Sequence, residues 1–163
     1  MPLIHEVHDS LASQIPEQQG VAIVHGDYRL DNCMVGPDGQ VVAVLDWEIC
    51  TLGDPLADLG LLQVYWTDRT DPESSLLVAP TLAEGFPTKA ELNERYAARS
   101  TRDLSQLDYY TAFGYWKLAA IIEGVYSRYA AGAMGEDASG FEGFATQVVR
   151  LAERAAEAAD RLG

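Results

Sequence analysis

Val21-Ala-Ile-Val-His25-Gly26-Asp27-Tyr28-Arg29-Leu30-Asp31-Asn32 is followed by a turn, and then by Val41-Val-Ala-Val-Leu45-Asp46-Trp47-Glu48. One apolar run delivers a polar cluster, a hairpin follows, and a second apolar run delivers another acid. Phosphoryl transfer needs such an arrangement. One carboxylate orients the attacking hydroxyl, while an amide and a second carboxylate hold magnesium against the phosphates.

The spacing narrows the reading. His25-x-Asp27, then four residues, then Asn32 fits the kinase catalytic-loop pattern His-x-Asp-x-x-x-x-Asn. Asp46-Trp47-Glu48 stands where a kinase carries Asp-Phe-Gly. The connection reads as a β-hairpin: Cys33-Met34-Val35, a Gly36-Pro37-Asp38-Gly39 turn, then the valine-rich Gln40 to Leu45. A hairpin brings Asn32 and Asp46 side by side. Asp27 is the candidate catalytic base, and Asn32 and Asp46 are the candidate ligands for Mg2+ and the ATP phosphates. Gly26 permits a backbone conformation that a side chain would resist. Arg29 either balances local acidic charge or is solvated, and Asp31 reads as a loop residue.

His25 to Asn32, together with Leu45-Asp-Trp-Glu48 and Gly53-Asp-Pro-Leu-Ala-Asp58, resembles the aminoglycoside phosphotransferase family of small-molecule kinases. Within that family the chain looks most like the kinase-like domains found alone or fused to acyl-CoA dehydrogenases. Three ordered motifs within about 40 residues carry the resemblance, and any one alone would match by chance. The resemblance implies transfer of the ATP γ-phosphoryl group to a small-molecule hydroxyl. It implies that His25 supports the catalytic loop through hydrogen bonds, and that Asp58 accepts hydrogen bonds from the loop backbone. Glu48 is near enough to approach the metal, or is structural. Acceptors in such kinases include antibiotics, amino alcohols, sugars and hydroxyacyl compounds; the dehydrogenase-linked likeness points to the last.

A kinase places a glycine-rich strand-turn-strand and a strand lysine over the nucleotide. Only 20 residues precede Val21, and the two lysines, Lys89 and Lys117, both follow the motifs. The expectation is a single domain over residues 1–163 corresponding to a kinase C-terminal lobe, with the nucleotide-clamping lobe absent and weak ATP binding by the chain alone. Two rival readings are a non-catalytic, kinase-like binding or regulatory module, and a magnesium-dependent phosphate hydrolase. The hydrolase would want carboxylates bridging two metals.

Composition sets further bounds. The net charge of −14 argues against nucleic-acid and anionic-membrane surfaces, both of which want lysine and arginine. No apolar run is long enough to cross a membrane, and the N-terminus lacks the layout of a signal peptide, so a cytoplasmic location is expected. Cys33 and Cys50 suggest no disulfide framework and read as reduced and buried.

The expected fold is α+β and mostly helical. Leu3, Val7, Leu11 and Ile15 make one apolar stripe of a helix ended by Pro16. His5 and His8 sit three apart on it and read as an exposed face rather than a metal pair. Val21–Val24 is expected as a short buried strand. Asp54-Pro55 starts a helix running to Tyr65. Thr67 to Pro87 reads as loop, Thr88 caps a helix over 89–99, and Asp103 or Ser105 opens a long aromatic helix over 104–131. Leu107, Tyr110, Gly114, Leu118 and Ile121 form the stripe of that long helix, from which Lys117 and Glu123 could face a substrate groove. A glycine-rich connection over 132–143 leads to a last helix with Phe144, Val148, Leu151, Ala155 and Ala158 or Ala159 on one side. With one lobe missing, Met34 and Val44 or Leu45 should form an exposed apolar floor beside Asn32 and Asp46. Such a floor favours a symmetric homodimer.

Overall fold

The computed structural model describes residues 1–71, 79–130 and 141–162. Five α-helices and four short strands lie within them: α1 (Pro2–Ser13), β1 (Ala22–Val24), β2 (Cys33–Val35), β3 (Val41–Val44), β4 (Thr51–Gly53), α2 (Leu56–Tyr65), α3 (Lys89–Ala97), α4 (Leu107–Ala130) and α5 (Phe141–Ala159). Single 3-10 turns cover Leu30–Asn32, Pro80–Leu82, Leu104–Gln106 and Asp160–Leu162. The chain is thus rich in helix, with two small antiparallel sheets, β1–β4 and β2–β3. No described helix is long and apolar enough to cross a membrane.

The helices pack because their apolar faces leave no alternative. Leu56, Leu151, Ala112, Ala119, Ala155 and Ala158 are wholly buried. Alanines on α4 and α5 let the two long helices approach closely. Glycine does the same between α2 and α4: a Cβ on Gly60 would lie 2.4 Å from the carbonyl carbon of Tyr110. Gly114 faces back, where a Cβ would lie 3.0 Å from Val64 Cγ2 and 3.2 Å from Leu61 Cα. α1 lies over α4 and is pinned by polar groups as well as by Ile4, Val7 and Leu11. Trp116 Nε1 donates to the Ile4 carbonyl at 2.9 Å, and the Tyr109 hydroxyl donates to the Leu11 carbonyl at 3.3 Å. The N-terminal ammonium pairs with Glu123 at 2.7 Å. That pair engages the Glu123 carboxylate.

Local signals explain the helix ends. Thr88 and Glu91 form a complete capping box on α3. The Asp103 side chain accepts from Ser105 N at 2.9 Å before α4. Asp54 is buried and does two jobs: one carboxylate oxygen accepts from Leu56 N at 2.9 Å, and the other accepts from Gln19 N at 2.9 Å, tying the approach to β1 onto the start of α2.

Several expectations need correction. α1 stops at Ser13, so Ile15 lies beyond it and is 71% exposed; the turn that Pro16 forbids is already lost two residues earlier. Val21–Val24 is not a buried strand. Only Val24 is buried, while Val21 and Ile23 project outward, because among the described residues β1 pairs with β4 alone and no layer covers the outer face of that ribbon. Ile121 is exposed, since α4 outruns its partners on that side. Neither cysteine is buried: Cys33 is half-buried, and Cys50 is exposed on the turn closed by its own N–H to the Trp47 carbonyl at 3.1 Å. α3 ends at Ala97 rather than at residue 99, and α4 begins after a 3-10 turn. Most of the glycine-rich connection and part of the 67–87 loop lie outside the described residues.

Candidate active site

The loop after β1 is built on Gly26. Its φ of +84° belongs to the left-handed region that glycine reaches without strain. A Cβ here would also press against the Ile49 carbonyl oxygen at 3.2 Å. The resulting turn points two successive amides at α2. Asp58, half-buried in the first turn of that helix, accepts from His25 N at 2.6 Å and from Gly26 N at 2.8 Å. On the other side of the same residue, Lys117 Nζ donates to the Gly26 carbonyl at 2.6 Å. A carboxylate thus holds the amide side of the loop and an ammonium holds a carbonyl.

His25 is 2% exposed and both of its ring nitrogens are used. Nδ1 accepts from Asp27 N at 3.2 Å, and Nε2 lies 2.7 Å from the Leu45 carbonyl. These partners fix the tautomer with its proton on Nε2. The Trp47 ring packs on the imidazole with centroids 4.7 Å apart. His25 therefore ties the loop that carries Asp27 to the strand end that carries Asp46.

Asp27 and Asn32 meet directly. Asn32 Nδ2 donates to the Asp27 carbonyl at 2.8 Å and to its Oδ2 at 3.1 Å. With its amide nitrogen committed, Asn32 keeps Oδ1 for another partner. Its main-chain carbonyl accepts from Leu45 N at 2.8 Å, which continues the β2–β3 ladder to the residue before Asp46. The hairpin turn is closed by Gly36 N to the Gln40 carbonyl at 2.8 Å, with Gly39 at φ +77°. Asp46 is the one non-glycine residue with positive φ, at 64°, among the described residues. Its carboxylate is exposed and makes no hydrogen bond or ion pair with them. Aspartate reaches this left-handed backbone more readily than most side chains, and the turn leaves the carboxylate turned to solvent.

Tyr65 completes the pocket around Asp27. Its hydroxyl donates to Asp27 Oδ1 at 3.3 Å, and the Arg29 guanidinium lies over its ring, 4.9 Å from the centroid. Burial pushes the Tyr65 phenol above its usual range, and the nearby Asp27 carboxylate adds to this; Arg29 opposes it. Arg29 also pairs with Asp31. Glu48 is exposed and engages none of these groups.

Asp27, Asn32, His25, Asp58 and Arg29 are therefore brought into one network, Asp46 joins it through Leu45, and Glu48 stays outside. Tyr65 and the Lys117–Gly26 contact were not read from the sequence. Tyr65 had a signal: it lies seven residues after Asp58, two helical turns along the same face. Lys117 stood out as a polar exception on the long helix, read as facing a substrate groove; its contact with Gly26 follows only from the tertiary crossing of α4.

Divalent magnesium prefers a few hard oxygen ligands and fills its remaining positions with water and phosphate. The free carboxylate of Asp46 and the Asn32 Oδ1 fit that preference. Among the described residues no group of three or more His, Cys, Asp or Glu is disposed to hold a metal, so a transition-metal site finds no support there. His5 and His8 likewise form no such group.

The sequence model of the phosphotransferase enzyme family matches residues 2–110. With its kinase-like fold, the chain belongs to this family. A solved structure from Ralstonia eutropha, described under the name aminoglycoside phosphotransferase, superposes with a TM-score of 0.81 at 30% identity, covering 98% of this chain and 49% of that one. Acyl-CoA dehydrogenase family member 11 of Gallus gallus is 33% identical over 170 aligned positions, covering 99% of this chain and 22% of the relative. Acyl-CoA dehydrogenase family member 10 of Mus musculus is 34% identical over 132 positions, covering 78% of this chain and 12% of the relative. The chain spans less than a quarter of these two relatives and about half of the solved structure.

Proposed function

We propose that this chain is the catalytic, C-terminal lobe of a kinase-like phosphotransferase that moves the γ-phosphoryl group of ATP to the hydroxyl of a small molecule, a hydroxyacyl compound being the preferred class. The observation that carries this reading is the pair of hydrogen bonds from Asn32 Nδ2 to Asp27, backed by the Leu45–Asn32 ladder bond. Together they set the proposed base and both proposed metal ligands at the open end of one hairpin.

In this reading a carboxylate oxygen of Asp27 accepts the hydrogen bond of the acceptor hydroxyl and takes its proton as the bond to phosphorus forms. Tyr65 and Asn32 fix the carboxylate's orientation, so little reorganisation is needed when the hydroxyl arrives. Asp46 and the Asn32 Oδ1 would hold Mg2+, whose contribution is to neutralise charge on the phosphates. His25, Asp58 and Lys117 touch no reacting atom and serve as positioning residues for the loop.

The test is a phosphoryl-transfer screen with ATP and Mg2+ against hydroxyl-bearing metabolites, run on the 163-residue chain and on the chain joined to the nucleotide-binding half of a longer family member. Transfer that Asp27→Asn lowers at least about a hundredfold supports the proposal, given the usual size of a general-base contribution. Transfer untouched by Asp27→Asn would overturn it.

A further inference from the structure

An open groove of about 1440 Å³ runs from the catalytic loop, between the hairpin and α2, to the segment that ends α3. His25 and Tyr28, which flank Asp27 in the chain, and Trp47, next to Asp46, lie at one end. Arg95, Arg99 and Arg102 line the other.

Three guanidinium groups on one groove are out of keeping with a chain of net charge −14 that holds only 11 lysines and arginines. Elsewhere Arg29, Lys89 and Arg154 are each paired with a carboxylate. The three groove arginines have no ion pair or side-chain hydrogen bond to any described residue, and among those residues the Arg102 Nε, like the Arg29 Nε, is buried without a partner. A buried guanidinium N–H left unmade is costly, so an acceptor that enters the groove and meets Arg102 is favoured. Two acids also line the groove. Asp58 is committed to the His25 and Gly26 amides, and Glu84 is exposed. Along the groove, the aromatic side chains of Tyr28 and Trp47 at the loop end and of Tyr96 on α3 offer a surface for a flat or hydrocarbon body.

We propose that this groove binds an organic anion, a carboxylate or phosphate carried on an apolar body, with its charge at Arg95, Arg99 and Arg102 and its body along Trp47 and Tyr96. Guanidinium forks match both anions in geometry and charge. Naming the occupant as the acceptor of the transfer rests on the function proposed above, whereas the groove's preference for anions does not. Asp27 is not among the residues that line the groove, so on that reading the acceptor's hydroxyl extends past Tyr28 toward Asp27 while its charge stays at the arginines, and a polycationic acceptor is disfavoured.

Two of the three tryptophans, Trp47 and Trp66, line the groove, so intrinsic fluorescence reports on it. The experiment titrates the chain with phenyl phosphate, phenylacetate, inorganic phosphate and benzylamine. Phenyl phosphate or phenylacetate should bind saturably and more tightly than benzylamine, and more tightly than inorganic phosphate. Comparison of the two organic anions separates a phosphate ester from a carboxylate. The doubly substituted Arg95→Gln, Arg99→Gln chain alters two exposed side chains and keeps its fold; its affinity should fall about tenfold or more. Trp47→Phe should remove most of the signal. Benzylamine binding as tightly as either anion, an unchanged affinity in the double variant, or no saturable binding would each overturn the proposal. Asp27→Asn separates the two proposals: it should keep the binding while lowering transfer at least about a hundredfold. In the unsubstituted chain, binding without transfer removes the transfer reading alone, and transfer without binding removes the groove alone.

Discussion

Lys117 Nζ lies 2.6 Å from the Gly26 carbonyl, so a side chain near the middle of α4 holds the residue that precedes Asp27. The same residue is held from the opposite direction by Asp58, whose carboxylate takes the Gly26 amide at 2.8 Å. Replacing Lys117 with methionine keeps the hydrocarbon stem and removes the donor. The cost should be about 1–3 kcal/mol of stability, the usual penalty for leaving a half-buried carbonyl unpaired. Hydrogen exchange should quicken at the Gly26 and Asp27 amides and stay unchanged in α5. Equal exchange in both chains would show that the contact does not restrain the loop.

Gly60 and Gly124 give opposite outcomes for the same substitution. A Cβ at Gly60 would meet Tyr110 backbone at 2.4 and 2.5 Å, so α2 and α4 would have to part. Gly60→Ala should destabilise by at least about 1–3 kcal/mol, the common cost of overpacking. Gly124 on α4 has nothing within 4 Å of its Cβ position, and Gly124→Ala should stabilise by up to about 1 kcal/mol through helix propensity. Urea denaturation of both variants measures this.

Tyr110 makes stability depend on pH at the alkaline end. Burial pushes its phenol up to about 12, with the charge and hydrogen bond of Asp54 adding to the effect. The folded-state value is raised above the unfolded one of about 10. The contribution is therefore complete below pH 10 and is lost as pH rises through 12. Tyr110→Phe should flatten the fall in melting temperature between those two values. An equally steep fall in the variant would place the titration elsewhere.

The hairpin exposes Met34, Val35, Val41, Val42 and Leu45 on its two sides, each between 46% and 64%. Exposed apolar side chains gathered in this way favour a partner. In the isolated chain the expected partner is a second copy, opposed by the mutual repulsion of two −14 chains. Salt screens that repulsion, so sedimentation should show a dimer that strengthens from low to high ionic strength. A strict monomer at both would count against the contact, as would a dimer unaffected by Val42→Glu.

Much of this was legible in the chain because the signals were local. The His25-x-Asp27 spacing, the Gly36–Gly39 turn and the Thr88 N-cap each depend on residues close in sequence, and each is where it was expected. The errors arose where tertiary cover decides the outcome. Val21 and Ile23 have the composition of a buried strand, yet among the described residues the only strand partner is β4 and nothing lies over them. Cys50 looks like a core residue by type but sits on a tight turn. The β1–β4 pairing joins segments 27 residues apart (Val24 to Thr51 at their near ends), and nothing in Thr51-Leu-Gly53 alternates strongly enough to announce a strand. Asp46 was legible as a candidate ligand by motif, but its left-handed backbone was not, because aspartate there depends on how the hairpin exits rather than on the residue itself.

The most direct test of the central claim is paramagnetic relaxation by Mn2+ with ATP, read by NMR on the 163-residue chain. Manganese replaces magnesium at oxygen sites, and relaxation detects even weak, fractional occupancy. Selective broadening of the Asn32 side-chain amide and of the Leu45 and Asp46 backbone amides is expected, with loss of that pattern in Asp46→Asn. Broadening spread over the acidic surface, unchanged by Asp46→Asn, would contradict the assignment of Asn32 and Asp46 as the ligands of a nucleotide-bound metal.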